Sequence, residues 1–209
     1  MRKILFICVV LSGLFTACGD KPLPNNVSKL ETQHALKTPG QVEVIKFFWL
    51  GCPHCREFHT NWVSLKRQFN GAVQFRSVPI AFDTWIFDTR VYVTIRELGL
   101  ATDGLLANYY EARQGPDKER LAKDPTAVAK WLQQYYDSTE QDFLSMFESS
   151  LAEDKVQEIK ELQAKYPISG VPAVLISMPD SKTSYLVSYA KAAATEKAIK
   201  DILEDILSK

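Results

Sequence analysis

The most constraining feature of the chain is an apolar run that passes directly into two closely spaced cysteines. Residues 42–49 (VEVIKFFW) are apolar at nearly every position and β-branched at the start. That pattern belongs to a strand buried on both faces of an α/β sheet. Cys52-Pro53-His54-Cys55 follows, and then Cys55, Phe58, Trp62, Leu65 and Phe69 recur at helical spacing until Asn70-Gly71 supplies a stop. Residues 73–80 (VQFRSVPI) read as a second strand with Val73 and Phe75 on one face. The cysteines therefore stand where a buried strand turns into a helix, inside a β-α-β unit.

Beyond that unit the pattern changes. Residues 84–166 form a helical block without strand signal: Asp124-Pro125 is an N-cap with proline at the first helical position, and Thr139 with Asp142 resembles a capping box. Strand character returns at 173–177 (AVLIS) and 184–188 (SYLVS), joined by a turn-like Pro179-Asp180-Ser181-Lys182. Residues 195–207 close as an amphipathic helix. The expected order is β-α-β, helical insertion, β-β-α. One α/β domain then comprises 41–83 and 167–209, with 84–166 as an inserted helical domain.

The N-terminus is a separate object. Met1-Arg2-Lys3 precedes an apolar stretch over residues 4–15, which predicts a signal peptide over 1–17. Leu14-Phe15-Thr16-Ala17-Cys18 resembles a bacterial lipobox, with Phe15 where leucine is usual, and implies lipidation of Cys18. The alternatives are an uncleaved anchor or plain secretion with Cys18 incidental. Residues 18–40, polar and proline-containing, read as a flexible, lipid-anchored tether. Each reading exports the chain to a compartment where disulfides persist.

Charge narrows the function classes. Lys plus Arg and Asp plus Glu are 25 each among 209 residues, without a long basic run, so nothing points to nucleic acid. Of four cysteines, Cys8 lies in the apolar leader and Cys18 is assigned to lipid, leaving Cys52 and Cys55. A pair three apart closes almost no loop, which makes a structural staple weak. Haem attachment needs His after the second cysteine, where this chain has Arg56. Zinc needs about four ligands, and only His54 and His59 are near, with His34 in the tether. His59 reads as surface.

A redox couple fits the position. At a helix N-terminus, unpaired N–H groups and the helix dipole stabilise a Cys52 thiolate, and Pro53 suits the first turn. Cys55 starts the apolar stripe and is expected to be the more buried sulfur beside an exposed Cys52. His54 either tunes the Cys52 thiolate by charge or hydrogen bonding, or is a solvated loop residue. A more stable thiolate makes the disulfide more oxidising.

Ser169-Gly170-Val171-Pro172-Ala173 precedes the returning strand. Together with strand–CPHC–helix and the helical insertion, it makes residues 41–209 similar to the thioredoxin superfamily and, within it, to the DsbA-like thiol oxidases. The resemblance implies a thioredoxin fold in which Cys52 is the attacking and attacked thiol and Cys55 resolves the mixed disulfide. It also implies that Pro172 is cis and faces the pair, while the Val171 backbone helps hold a substrate strand; an ordinary trans turn proline is the alternative.

Implied with it are reduced or unfolded exported proteins as substrates, a DsbB-like membrane quinone reductase as reoxidant, and a periplasmic location. No metal or organic cofactor is required. A reductase or isomerase on the same fold, or a non-enzymatic chaperone using apolar surface near Trp49 and Leu50, are the alternatives. One residue departs from the family: six before the first cysteine, where a buried acid is common, stands Lys46. Either Lys46 snorkels to the surface, or it lies near Cys55, favours thiolate and raises oxidising power while removing the usual proton acceptor. Glu43 is expected on the opposite strand face.

Overall fold

A computed structural model describes residues 22–31, 40–179 and 181–208. The leader 1–17, Cys18, His34 and tether residues 19–21 and 32–39 lie outside the described residues. Five strands form one sheet in the order β1-β5-β4-β2-β3: β1 (Val27–Leu30), β2 (Val42–Phe48), β3 (Val73–Pro79), β4 (Ala173–Ser177) and β5 (Ser184–Ser188). β2 runs parallel to β3 and antiparallel to β4, and all seven of its residues are buried. Interior placement explains why its sequence shows no polar alternation.

The helices are α1 (Pro53–Gln68), α2 (Ile86–Glu97) after a short 3-10 turn at Asp83–Trp85, α3 (Asp103–Gln114), α4 (Lys118–Leu121), α5 (Pro125–Tyr135), α6 (Glu140–Phe147), α7 (Ser150–Gln163) and α8 (Ala192–Leu207). The expected caps are present. Asp124 accepts the N–H groups of Thr126 and Ala127, and Thr139 accepts that of Asp142.

Two findings revise the expected boundaries. Val27–Leu30, placed in the flexible tether, is an edge strand paired antiparallel with β5, Val27 opposite Val187. Four residues with one buried apolar position carry too little period-2 signal to announce an edge strand. Helix α7, expected within the insertion, packs on the sheet: Val156 and Ile159 meet Ile45, Phe47 and Leu175. The opposite face is covered by α1 and α8, with Phe58, Trp62, Leu65, Ile199 and Leu203 against Val44, Val174 and Ile176.

A third apolar cluster fills the interior of α2 to α6, with Tyr109, Tyr110, Val128, Leu132 and Phe143 at its centre. Phe48, Leu50, Cys52 and Cys55 belong to this cluster. The end of β2 and the first turn of α1 therefore form the seam between sheet and helical insertion. Burial drives the seam closed, because these side chains would otherwise expose apolar area worth roughly 25 cal/mol per Å².

Candidate active site

Cys52 is the N-cap of α1 and Pro53 occupies the first turn. The backbone N–H of Cys55 donates to Cys52 Sγ at 3.3 Å, so the sulfur takes one of the donors a helix start leaves unpaired. Both cysteines are free thiols. On its other side Cys52 Sγ–H donates to the Val171 carbonyl at 3.4 Å. The Val171–Pro172 peptide bond is cis, as the resemblance implied. Two segments 119 residues apart thus meet at one sulfur.

The expected asymmetry between the thiols holds in sign but not in degree. Cys52 retains 6% exposure and Cys55 1%, so Cys52 is largely covered rather than exposed. Covering comes from the tertiary contact at Val171, which a helix-terminal position alone does not reveal. The thiols still differ chemically. A hydrogen bond from the Cys55 thiol, backbone N–H groups of Cys55 and His54, and the His54 charge outweigh burial and pull the Cys52 thiol down to about 7. Burial, and the proton shared with Cys52, push Cys55 far above the ordinary thiol range.

This gives a pH prediction. Alkylation of reduced Cys52 by iodoacetamide is expected to rise about tenfold per pH unit below pH 7 and to level off above it. In Cys55→Ala, which lacks the S–H donor, the midpoint moves upward towards about 8.5, the free-thiol value. Identical profiles for the two proteins would remove Cys55 as the cause.

His54 lies outside the seam, 63% exposed in its side chain. It stacks on Tyr189 with ring centroids 4.8 Å apart, and its Nδ1 is 3.6 Å from Glu57. Tyr189 donates its hydroxyl to the same Glu57 carboxylate at 2.6 Å. His54 is therefore held by two neighbours rather than free in solvent.

Lys46 does not snorkel. It is 1% exposed, and its Nζ sits 5.3 Å from the Phe48 ring centre and 4.9 Å from that of Trp62. Burial pulls its ammonium down to about 7, with Cys55 among the charges that act on it. Glu43 is buried on the other face of β2 and pairs with Arg76 at 2.9 Å. His59 is not surface but 5% exposed: its Nε2 is 2.8 Å from the Asp103 carbonyl, and its ring lies against Tyr110.

Several positioning residues escaped the sequence reading. Trp49 Nε1 donates to Asp88 at 2.6 Å, and Arg113 makes two 2.9 Å bonds to the same buried carboxylate. Gln114 donates to the carbonyls of Leu50 (3.3 Å) and Cys52 (3.1 Å), tying the loop to α3. At Gly51 a Cβ would come within 2.4 Å of the Trp49 indole, so only glycine lets the indole fold back over the loop. Asp88, Arg113 and Gln114 are 36 to 62 residues from Cys52, and no local pattern links them.

The arrangement is one thiol lowered towards neutrality, a second more deeply buried thiol, and the Val171 carbonyl, just before the cis-proline, against Cys52. Comparison with known proteins gives the family and the fold. The family described as Thioredoxin matches residues 35–201. The thiol:disulfide interchange protein DsbA of Burkholderia cepacia is 32% identical over 188 residues, covering 84% of each chain. That of Pseudomonas syringae pv. tomato is 27% identical across 96% of this chain and 92% of its own. In fold, Pseudomonas aeruginosa DsbA superposes with a TM-score of 0.76 at 21% identity, over 88% of this chain and 93% of its own. Xylella fastidiosa DsbA gives 0.77 at 19% identity, over 88% and 96%. With its cysteine pair at the strand–helix junction and its helical insertion, the chain belongs to the thioredoxin family and, within it, to the DsbA-like thiol:disulfide oxidoreductases.

Proposed function

We propose that this protein donates a Cys52–Cys55 disulfide to cysteine pairs of newly exported proteins. The carrying observation is Cys52 at the start of α1, its thiol lowered to about 7 and its sulfur against the Val171 carbonyl. A substrate thiolate attacks Cys52 Sγ, the Cys52–Cys55 bond breaks, and Cys55 leaves with the electron pair. The substrate's second thiolate then attacks the mixed disulfide and expels Cys52. Cys52 is a good leaving group because its thiolate is stabilised. The Val171 backbone and Pro172 present an edge on which an extended substrate segment aligns, while Pro53 starts the helix and His54 adds positive charge near Cys52.

Reoxidation falls to a DsbB-like membrane quinone reductase, in the periplasm. Lipidation at Cys18 after removal of 1–17 would hold the enzyme to a membrane. Because Val27 is already docked in the sheet, the spacer is confined to residues 19–26, spanning at most ~29 Å. The redox unit comprises 27–30, 41–83 and 167–209, with α7 added from the inserted 84–166.

The deciding measurement is the redox potential of the Cys52–Cys55 couple in a glutathione series. A value close to about −120 mV, that of the oxidase DsbA, is expected. A value near about −270 mV, that of thioredoxin, would make the protein a reductase instead.

A further inference from the structure

Beneath Cys55 lies a group of buried polar atoms that the disulfide chemistry above does not use. Lys46 Nζ, His59 Nδ1 and the Tyr110 hydroxyl have no hydrogen-bond partner among the described residues. All three residues are at most 5% exposed. They converge: His59 is one helical turn below Cys55 on α1, Tyr110 of α3 lies 5.6 Å from the His59 ring and 6.4 Å from Phe48, and Phe48 carries Lys46 Nζ on its face. A buried polar group without a partner costs on the order of 1–3 kcal/mol. Three around one thiol are unlike an optimised core.

We propose that Lys46 is the proton-exchanging group for Cys55, with its amine serving where an acid is common in the family. The proposal rests on the Cys52–Cys55 couple being the redox centre. When the oxidised enzyme is attacked, Cys55 leaves with the electron pair of the S–S bond and takes a proton that the Lys46 ammonium supplies through one water, since the two groups are not in direct hydrogen-bond contact. On reoxidation, Cys52 thiolate attacks one sulfur of a protein or small-molecule disulfide; that S–S bond breaks, its other sulfur leaves as thiolate, and a mixed disulfide with Cys52 remains. The neutral Lys46 amine then accepts the Cys55 proton through the same water. Cys55 sulfur attacks Cys52, their bond forms, and the partner sulfur leaves as thiolate.

The surroundings match the task. From β2's own face Lys46 meets Phe48; α1 contributes Cys55, His59, Trp62 and Lys66; α3 contributes Asp103 and Tyr110; and α2 contributes Tyr92, whose hydroxyl is engaged with the Ser77 carbonyl. The only carboxylate acting on Lys46 among the described residues, that of Asp103, is held by Lys66 at 2.7 Å. An amine in this setting changes protonation close to neutral pH, because burial disfavours its charge. A groove of about 660 Å³ has Trp62, Lys66, Tyr92 and Asp103 in its wall. It brings solvent up to residues that flank Lys46.

The test isolates ring closure. Reduced protein is converted to the Cys52–glutathione mixed disulfide at low pH, then jumped to higher pH while glutathione release is followed. Wild type is expected to release glutathione with a rate that rises to a plateau just above neutrality. Lys46→Met should slow release by about a hundredfold, with a rate that keeps climbing through pH 9. An unchanged rate and profile in Lys46→Met would overturn the assignment. If that variant does not fold, ¹⁵N-detected titration of Lys46 in the wild type decides. Loss of the Nζ proton between pH 6 and 8 supports the proposal, and an ammonium persisting to pH 9 refutes it. Wild-type oxidative refolding measured in parallel separates the two readings: if it fails, the proposed function is at fault rather than Lys46.

Discussion

Replacing Cys52 with alanine is expected to reduce disulfide-coupled refolding of a reduced, denatured protein to the uncatalysed rate, a loss on the order of a thousandfold or more. The physical basis is that no other described thiol than Cys55 lies in the seam, and Cys55 is 1% exposed with its proton held far above the ordinary thiol range. An incoming substrate thiolate has no second sulfur to attack. Thermal unfolding of Cys52→Ala should stay close to that of the reduced wild type, since only weak sulfur hydrogen bonds, with the Cys55 N–H and thiol and the Val171 carbonyl, are lost. Cys55→Ala should behave differently and accumulate mixed disulfides at Cys52, visible as mass adducts. If Cys52→Ala refolds the substrate as well as wild type does, the protein acts as a chaperone through its apolar surface and the disulfide reading is lost.

A second large effect is expected far from the thiols. Arg113→Met leaves the Asp88 carboxylate, 3% exposed, without the guanidinium that makes two bonds to it. Removing one member of a buried ion pair costs about 3–5 kcal/mol because the remaining charge is uncompensated. Burial already raises Asp88 above the usual carboxylate range in the intact protein, with Arg113 and Trp49 opposing it. The variant raises it further.

A carboxyl whose folded pKa is raised contributes stability below its unfolded pKa and loses it as pH rises through the folded value. The gap between wild type and Arg113→Met, measured by urea unfolding, should therefore be largest near pH 7 and shrink towards pH 4. A pH-independent gap would mean that lost packing against Trp49, rather than the stranded charge, is responsible. Because Asp88 also holds the Trp49 indole, the Cys52 alkylation profile of the variant shows whether the loop before the thiols has shifted.

Much of the site was legible because it is local. The step from apolar strand to helix, Pro53 in the first turn, and Cys55 at the head of the stripe Phe58–Trp62–Leu65 all follow from spacing, and the structure keeps them. The cis bond at Val171–Pro172 was implied by resemblance to the family and is present. Less local features went unseen. The strand Val27–Leu30 exists only because β5 offers an edge to it. His59 looked like surface on α1 and is buried because α3 lies over that face.

Lys46 marks the boundary between the two kinds of knowledge. Its place six residues before Cys52 is plain in the chain, and period-2 alternation puts it on the face opposite Glu43. Whether its amine reaches water depends on what stands over that face. Trp62 and Phe48 close it off, and the helical insertion seals the seam above. Sequence alone pointed to the Cys52–Cys55 pair and determined the strand–helix junction that holds it and the order of most elements, because these rest on contacts a few residues apart. Only the tertiary structure decided how covered Cys52 is, which carboxylate anchors Trp49, and that a lysine is buried beneath Cys55. Those depend on segments that are apart in sequence and that burial brings together.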